Sequence, residues 1–170
     1  MAEFKIEWNN LERVLNEFCD AFIDFARAYL FKNDSVATGD LYDSLDTERE
    51  VKIGEDYFSV KISLEDYWKY VDKGRGPGKF PPPEAITNWI EVKHIVPRAD
   101  MNGRTPSVEQ LSFLIGRKIA EEGTTPHPFF DQAREEALRI YDEKIDRAII
   151  EDISEAVKKT VDEMLKDSLS

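Results

Sequence analysis

The chain has 170 residues, 41% of them apolar and 11% aromatic, so it can bury a real core and is not disordered throughout. A net charge of −12 argues against a general nucleic-acid binder and opposes binding to anionic membranes. One cysteine, no apolar run near the ~18 residues of a membrane span, and an N-terminus without an apolar core predict a protein of a reducing compartment with no secretory signal.

The periodicity predicts a first helix over 7–32. Leu11, Val14, Leu15, Phe18, Phe22, Phe25 and Tyr29 form one apolar stripe, with Asn9 or Asn10 as its cap and Lys32-Asn33-Asp34-Ser35 as its end. Cys19 falls on this helix among apolar residues and reads as a small buried hydrophobe. A short second helix begins near Thr38-Gly39-Asp40 and carries Leu41, Ser44 and Leu45. Residues 48–63 read as a β-hairpin. Val51 and Ile53, then Phe58, Val60 and Ile62, alternate with polar residues around Gly54-Glu55-Asp56. Its apolar face is expected to pack under a helix.

An aromatic element, Tyr67-Trp68-Lys69-Tyr70, then runs into a basic glycine- and proline-rich loop, Lys73 to Pro83. Tyr67 and Tyr70, three apart, read as core-facing, with interface anchoring by these aromatics as the alternative. Pro82 or Pro83 opens the next helix, with Ala85, Ile86, Trp89 and Ile90 at helical spacing. After a break from Pro97 to Gly103, Thr105-Pro106 reads as cap and first residue of another helix. Val108, Leu111, Leu114, Ile115 and Ile119 mark its buried face, and Gly123 ends it. Thr124-Thr125-Pro126-His127-Pro128 is a stiff linker.

From Phe129 a helical pattern runs nearly to the C-terminus. Leu138, Tyr141, Ile145, Ile149, Ile153, Val157, Val161, Leu165 and Leu169 recur every three or four residues. Steps of four drift by ~40° on a 3.6-residue turn, so this row winds round the helix. A helix of roughly 40 residues is long for a chain of this size. Two outcomes stay open: a break near Glu151-Asp152, or a far end that packs on another subunit.

Chemistry is poorly supported. His94 with Glu91, and His127 with Asp131, supply two metal ligands each, and a structural zinc site wants four. No Gly-x-Ser-x-Gly is present, and Cys19 has no evident histidine partner. Gly74-x-Gly76-x-Gly78-Lys79 lacks the Walker spacing, and its following prolines remove the N–H donors a phosphate cradle needs. No enzyme, metal or cofactor is therefore expected. Charge is segregated instead. Residues 73–118 hold eight basic and four acidic side chains, leaving −16 for the rest of the chain. A basic middle between acidic flanks suits self-association of unlike patches, or simply a solvated surface. Lys73, Arg75, Lys79, Phe80 and Trp68 are the candidate contact residues, for a neighbouring subunit first and a DNA backbone second.

The order of motifs resembles a known family. Thr38-Gly39-Asp40-Leu41-Tyr42-Asp43-Ser44-Leu45, a hairpin, Tyr67-x-x-Tyr70-Val71-Asp72-Lys73-Gly74, and Pro126-His127-Pro128-Phe129-Phe130-Asp131-Gln132-Ala133 follow one another over about residues 8–140. This is similar to the tail-completion, or head–tail connector (neck), proteins of tailed bacteriophages. Their pattern is Thr-Gly-x-Leu-x-x-Ser, a hairpin, Tyr-Ala-x-Tyr-Val-Glu-x-Gly, then Pro-Phe-x-x-x-Ala. Two departures stand out. Asp72-Lys73-Gly74 replaces Glu-x-Gly-Thr, and residues 74–125 form an insert where many members have a short loop.

The resemblance implies an α+β fold in one domain, an antiparallel hairpin-based sheet packed against long N- and C-terminal helices, with the C-terminal helix over 126–170. It implies a non-enzymatic subunit of a homo-oligomeric ring in the virion, assembled in the bacterial host cytoplasm. Such a ring contacts portal, connector or tail proteins and lets genomic DNA pass without sequence preference. A soluble DNA-binding accessory protein, using residues 73–118, is the alternative.

Overall fold

The computed structural model describes residues 4–32, 39–45, 48–54, 56–99 and 101–168. Thr38, the Asn33–Ser35 terminator, Glu55, Asp100 and Leu169 lie outside them. The elements in chain order are α1 (Asn9–Lys32), α2 (Asp40–Ser44), β1 (Arg49–Ile53), β2 (Phe58–Ile62), α3 (Trp68–Lys73), α4 (Pro83–Val92), α5 (Val108–Glu122) and α6 (Phe130–Ser168). The fold is α+β and helix-rich, with one two-stranded antiparallel sheet and long helices near both ends of the chain. The chain divides into two compact units. The first comprises residues 1–26, 46–63 and 131–170, and the second 27–45 and 64–130.

In the first unit the hairpin pairs Arg49 with Ile62 through Ile53 with Phe58. Its period of two turns Val51, Ile53 and Val60 to one face. That face packs on a cluster of Leu11, Val14 and Leu15 from α1 with Ile145 and Ala148 from α6. A lone hairpin is marginal in water, so this helical platform is what holds it. Phe18 meets Tyr141 edge to face at 6.2 Å, and Arg49 pairs with Asp20.

Helix α6 runs unbroken for 39 residues, so of the two outcomes left open the break near Glu151-Asp152 does not occur. Asp152 has a different role. Its side chain is 1% exposed, and it caps the start of α1 from a distance. Oδ1 accepts from the Asn10 backbone N–H at 3.0 Å and from the Asn10 side-chain amide at 2.8 Å; Oδ2 accepts from the Leu11 N–H at 2.9 Å. The first N–H groups of a helix have no partner within it, and a carboxylate there also meets the positive end of the helix dipole. Asn9 or Asn10 was expected as the cap; Asn10 serves instead as a donor to the carboxylate that caps the helix.

The buried ridge of α6 is Ala133, Ala137, Ile145, Ala148, Asp152 and Ala156. The expected aliphatic row follows it only in its middle. Leu138, Ile153, Val157, Val161 and Leu165 are exposed. The four steps of four from Ile149 to Leu165 turn the row by about 160°, carrying it off the buried face. Alanines fill the face it leaves because a small side chain lets helices approach closely.

In the second unit, Gly39 at φ 91° precedes the short helix α2, and Leu41 and Leu45 are buried. Pro83 stands at the first position of α4, where its missing N–H costs nothing. Helix α4 ends with His94 at φ 49° and the Ile95 N–H bonded to the Ile90 carbonyl at 2.9 Å. Helix α5 starts later than expected. Ser107 is its cap, in a reciprocal capping box with Gln110, so Thr105-Pro106 lies outside the helix. The two most buried positions of α5 are Ser112 and Gly116, while Leu114 is exposed.

Candidate functional site

Two of the segments carrying the family resemblance, 67–74 and 126–133, meet in the second unit at Asp72, which is 2% exposed. Its Oδ1 accepts from the Phe129 N–H at 2.9 Å and the Phe130 N–H at 2.8 Å, closing the start of α6. The His127 N–H bonds to the Val71 carbonyl at 2.9 Å. Gly74 leaves α3 at φ 68°, and a Cβ there would lie 2.5 Å from the Thr124 carbonyl oxygen. Only glycine fits both the backbone angle and the close approach. The first motif reaches the residues just ahead of the second, since the Ser44 hydroxyl accepts from the Glu65 N–H at 3.4 Å. Asp72 was quoted in the motif without a role. A buried acid opposite a Pro-x-Pro-Phe-Phe helix start was the available signal.

Trp68 is half-buried here. Its ring lies 4.7 Å from that of Phe130 and 6.5 Å from that of Phe129, which is wholly buried. The aromatic that packs is therefore Trp68, and the expectation for Tyr67 and Tyr70 is corrected: they are 40% and 62% exposed. Helix α3 is barely two turns long, and Val71 and Asp72 face inward with Trp68, which turns both tyrosines outward.

The basic loop is tied down at several points. Arg75 and Thr124 form a bridge, with the Thr124 N–H donating to the Arg75 carbonyl at 2.8 Å and the Arg75 N–H donating to the Thr124 hydroxyl at 2.9 Å. The Arg75 guanidinium turns back to the Lys79 carbonyl. The Gly78 N–H bonds to the Ala120 carbonyl at 2.8 Å. Phe80 stacks on Phe113 at 5.7 Å and covers Gly116, where a Cβ would come within 2.4 Å of its ring. Of the five candidate contact residues, Trp68 and Phe80 are engaged in packing, and Arg75 braces the loop. Lys73 and Lys79 are exposed, and the loop tip from Gly76 to Lys79 presents polar backbone and charge. An isolated glycine inside a helical pattern signals close approach, and Gly116 was legible on that ground.

The basic character of 73–118 is diluted on α5 itself. Arg117 lies 3.8 Å from Glu121, and Lys118 lies 3.7 Å from Glu122. These acids fall just past the segment counted as basic. Arg98 and Arg104 flank a shallow apolar groove lined by Ile95, Val96, Pro97, Leu111 and Leu114. Among the described residues, no three His, Cys, Asp or Glu side chains are grouped to hold a metal ion, and no helix is long and apolar enough to cross a membrane.

Comparison with protein-family models, curated proteins and solved structures found no match.

Proposed function

We propose that the chain is a structural subunit of a phage head–tail connector or tail-completion ring, joining the portal side to the tail and leaving a passage for DNA. One observation carries the reading. The second and third motifs of the resemblance, separated by about 50 residues of insert, close on each other at Asp72, and the first reaches Glu65 just ahead of the second. Motifs that pack together constrain one another, which is what a shared fold requires. The residues of this reading that meet a neighbour are Lys73 and Lys79, exposed on a loop braced against α5.

The test is genetic and structural. In a phage or prophage carrying the gene, disruption should yield DNA-filled heads and separate tails. Purified particles should contain the chain, localised to the neck by antibody labelling in electron micrographs. Lys73→Glu with Lys79→Glu should leave a folded subunit that fails to enter particles. Normal joining of heads to tails without the chain, or its absence from purified particles, refutes the proposal.

A further inference from the structure

We infer that the hairpin joins copies of this chain head to tail, β2 of one copy adding antiparallel to β1 of the next. The Ser63 N–H bonds to the Glu48 carbonyl at 2.9 Å and the Gly54 N–H to the Tyr57 carbonyl at 2.8 Å, which fixes the parity of the ladder. With Arg49 opposite Ile62, the hydrogen-bonded pairs between them are Glu50–Lys61 and Lys52–Ser59. The alternate residues turn their N–H and C=O groups outward, Arg49, Val51 and Ile53 along one edge and Phe58, Val60 and Ile62 along the other. The outward groups of Val51, Ile53, Phe58, Val60 and Ile62 take no hydrogen bond among the described residues. Neither strand holds a proline, and the one-to-one register leaves no bulge, so both edges are open to pairing. A row of alternating donors and acceptors fits one kind of ligand, an extended backbone.

The side chains identify that strand as the chain's own. Phe58 is 44% exposed and Ile62 half-buried on the apolar face, and both lie outside the cluster that packs Val51, Ile53 and Val60. Continuing the hairpin's own register into a second copy sets Phe58 beside Ile53 of the next copy and Val60 beside its Val51. On the other face Glu50 turns to Lys52 of its own strand at 2.9 Å, leaving exposed Lys61 in no ion pair among the described residues. In the continued register Lys61 falls opposite Glu50 of the next copy. A slip of two residues in one direction sets Lys61 against Lys52 instead, and a slip in either direction shortens the ladder. This single contact satisfies both edges, whereas a two-fold pairing of β2 with β2 leaves β1 open, and the reverse. Each hairpin adds about 10 Å of sheet, while the two helices beneath it need about 20 Å. Successive copies therefore splay with their helices on the convex side, which bends a head-to-tail row toward closure. About six backbone bonds per contact put it at the weak, micromolar end of specific association. It is expected of the purified chain alone, so it and the connector reading can fail separately.

Sedimentation of the purified chain from 5 to 200 µM (roughly the range this contact implies) should show growth past the dimer. Phe58→Pro removes an outward N–H at the first position of the strand, where proline is tolerated. It should keep the circular dichroism spectrum and lower association at least tenfold, while Phe58→Val, which retains the N–H, should still associate. In a Cys19→Ala background under mild oxidation, Glu50→Cys mixed with Lys61→Cys should cross-link between chains. Ser59→Cys mixed with Lys61→Cys, the pair a two-fold β2 contact would join, should not. A monomer throughout the range, growth that stops at the dimer, association that survives Phe58→Pro, or cross-linking of the second mixture in preference to the first overturns the inference. Each of these results leaves the connector reading to its own test in particles.

Discussion

Replacing Asp152 with alanine tests how α1 is held. The carboxylate accepts three hydrogen bonds, two of them from the backbone N–H groups of Asn10 and Leu11 at 3.0 and 2.9 Å. The Asn10 side chain can turn to water when its acceptor is lost. The two backbone donors have no such freedom, and each unsatisfied buried donor costs about 1–3 kcal/mol. The expected destabilisation of the first unit is therefore ~3 kcal/mol, with the loss of a helix cap already counted within it. With a urea slope of ~2 kcal/mol per M for a chain of this size, the midpoint should fall by roughly 1.5 M. Trp8, packed on the core beside Leu11, is the fluorescent reporter. Asp152→Asn keeps one acceptor oxygen and should lose about half as much. A midpoint shift below ~0.3 M for the alanine variant, or an asparagine variant less stable than the alanine one, refutes the capping argument.

Asp72→Ala should destabilise the second unit by about 2–3 kcal/mol through the same mechanism, and hydrogen exchange should accelerate at Phe129 and Phe130. Gly123→Ala places a Cβ 2.1 Å from the Arg75 carbonyl oxygen at a φ of 83°. It should open the Arg75–Thr124 bridge and expose residues 74–83 to limited proteolysis while the hairpin keeps its protection. Cys19 is fully buried, and burial is the main cause that raises its thiol pKa above the ordinary 9.0. Thiol reagents should label it only on unfolding. Because the folded state holds this proton more tightly, its contribution is constant below pH 9.0 and is lost as pH rises through the folded-state value. Cys19→Ala should flatten the alkaline limb of a stability–pH curve.

Much of the fold was legible where one physical rule acts alone. The α1 stripe, the hairpin alternation, Pro83 as a helix start and Gly123 as a stop each follow from local geometry, and each is present. The failures have two causes: one local signal outcompeted another, or a tertiary partner chose between local options. Ser107-x-x-Gln110 competed with Thr105-Pro106, and a reciprocal box satisfies two donors where a lone threonine satisfies one. Asp152 read only as part of a possible helix break, because its partners, Asn10 and Leu11, lie far away in sequence. The α6 face followed small residues rather than large ones, a choice that sequence periodicity weighted by hydrophobicity inverts. At the candidate site the glycines and acid were visible in the motif, but the inward turn of Trp68 depended on Phe129 and Phe130, which the insert separates from it.

The bond from Asn10 to Asp152 spans 142 positions of the chain. A ribosome adding 5–20 residues per second needs roughly 7–30 s between those two points. During that interval the first helix has emerged with its leading N–H groups facing water and its apolar stripe without the Ile145 and Ala148 it will cover. The second unit, complete at Phe130, has all its segments available sooner. Synthesis therefore imposes an order on folding, in which the segment made first is among the last to be secured. A chain stopped before Asp152 would carry an unfinished first unit and an uncovered Leu11–Leu15 face, a state suited to capture by chaperones or degradation rather than to assembly.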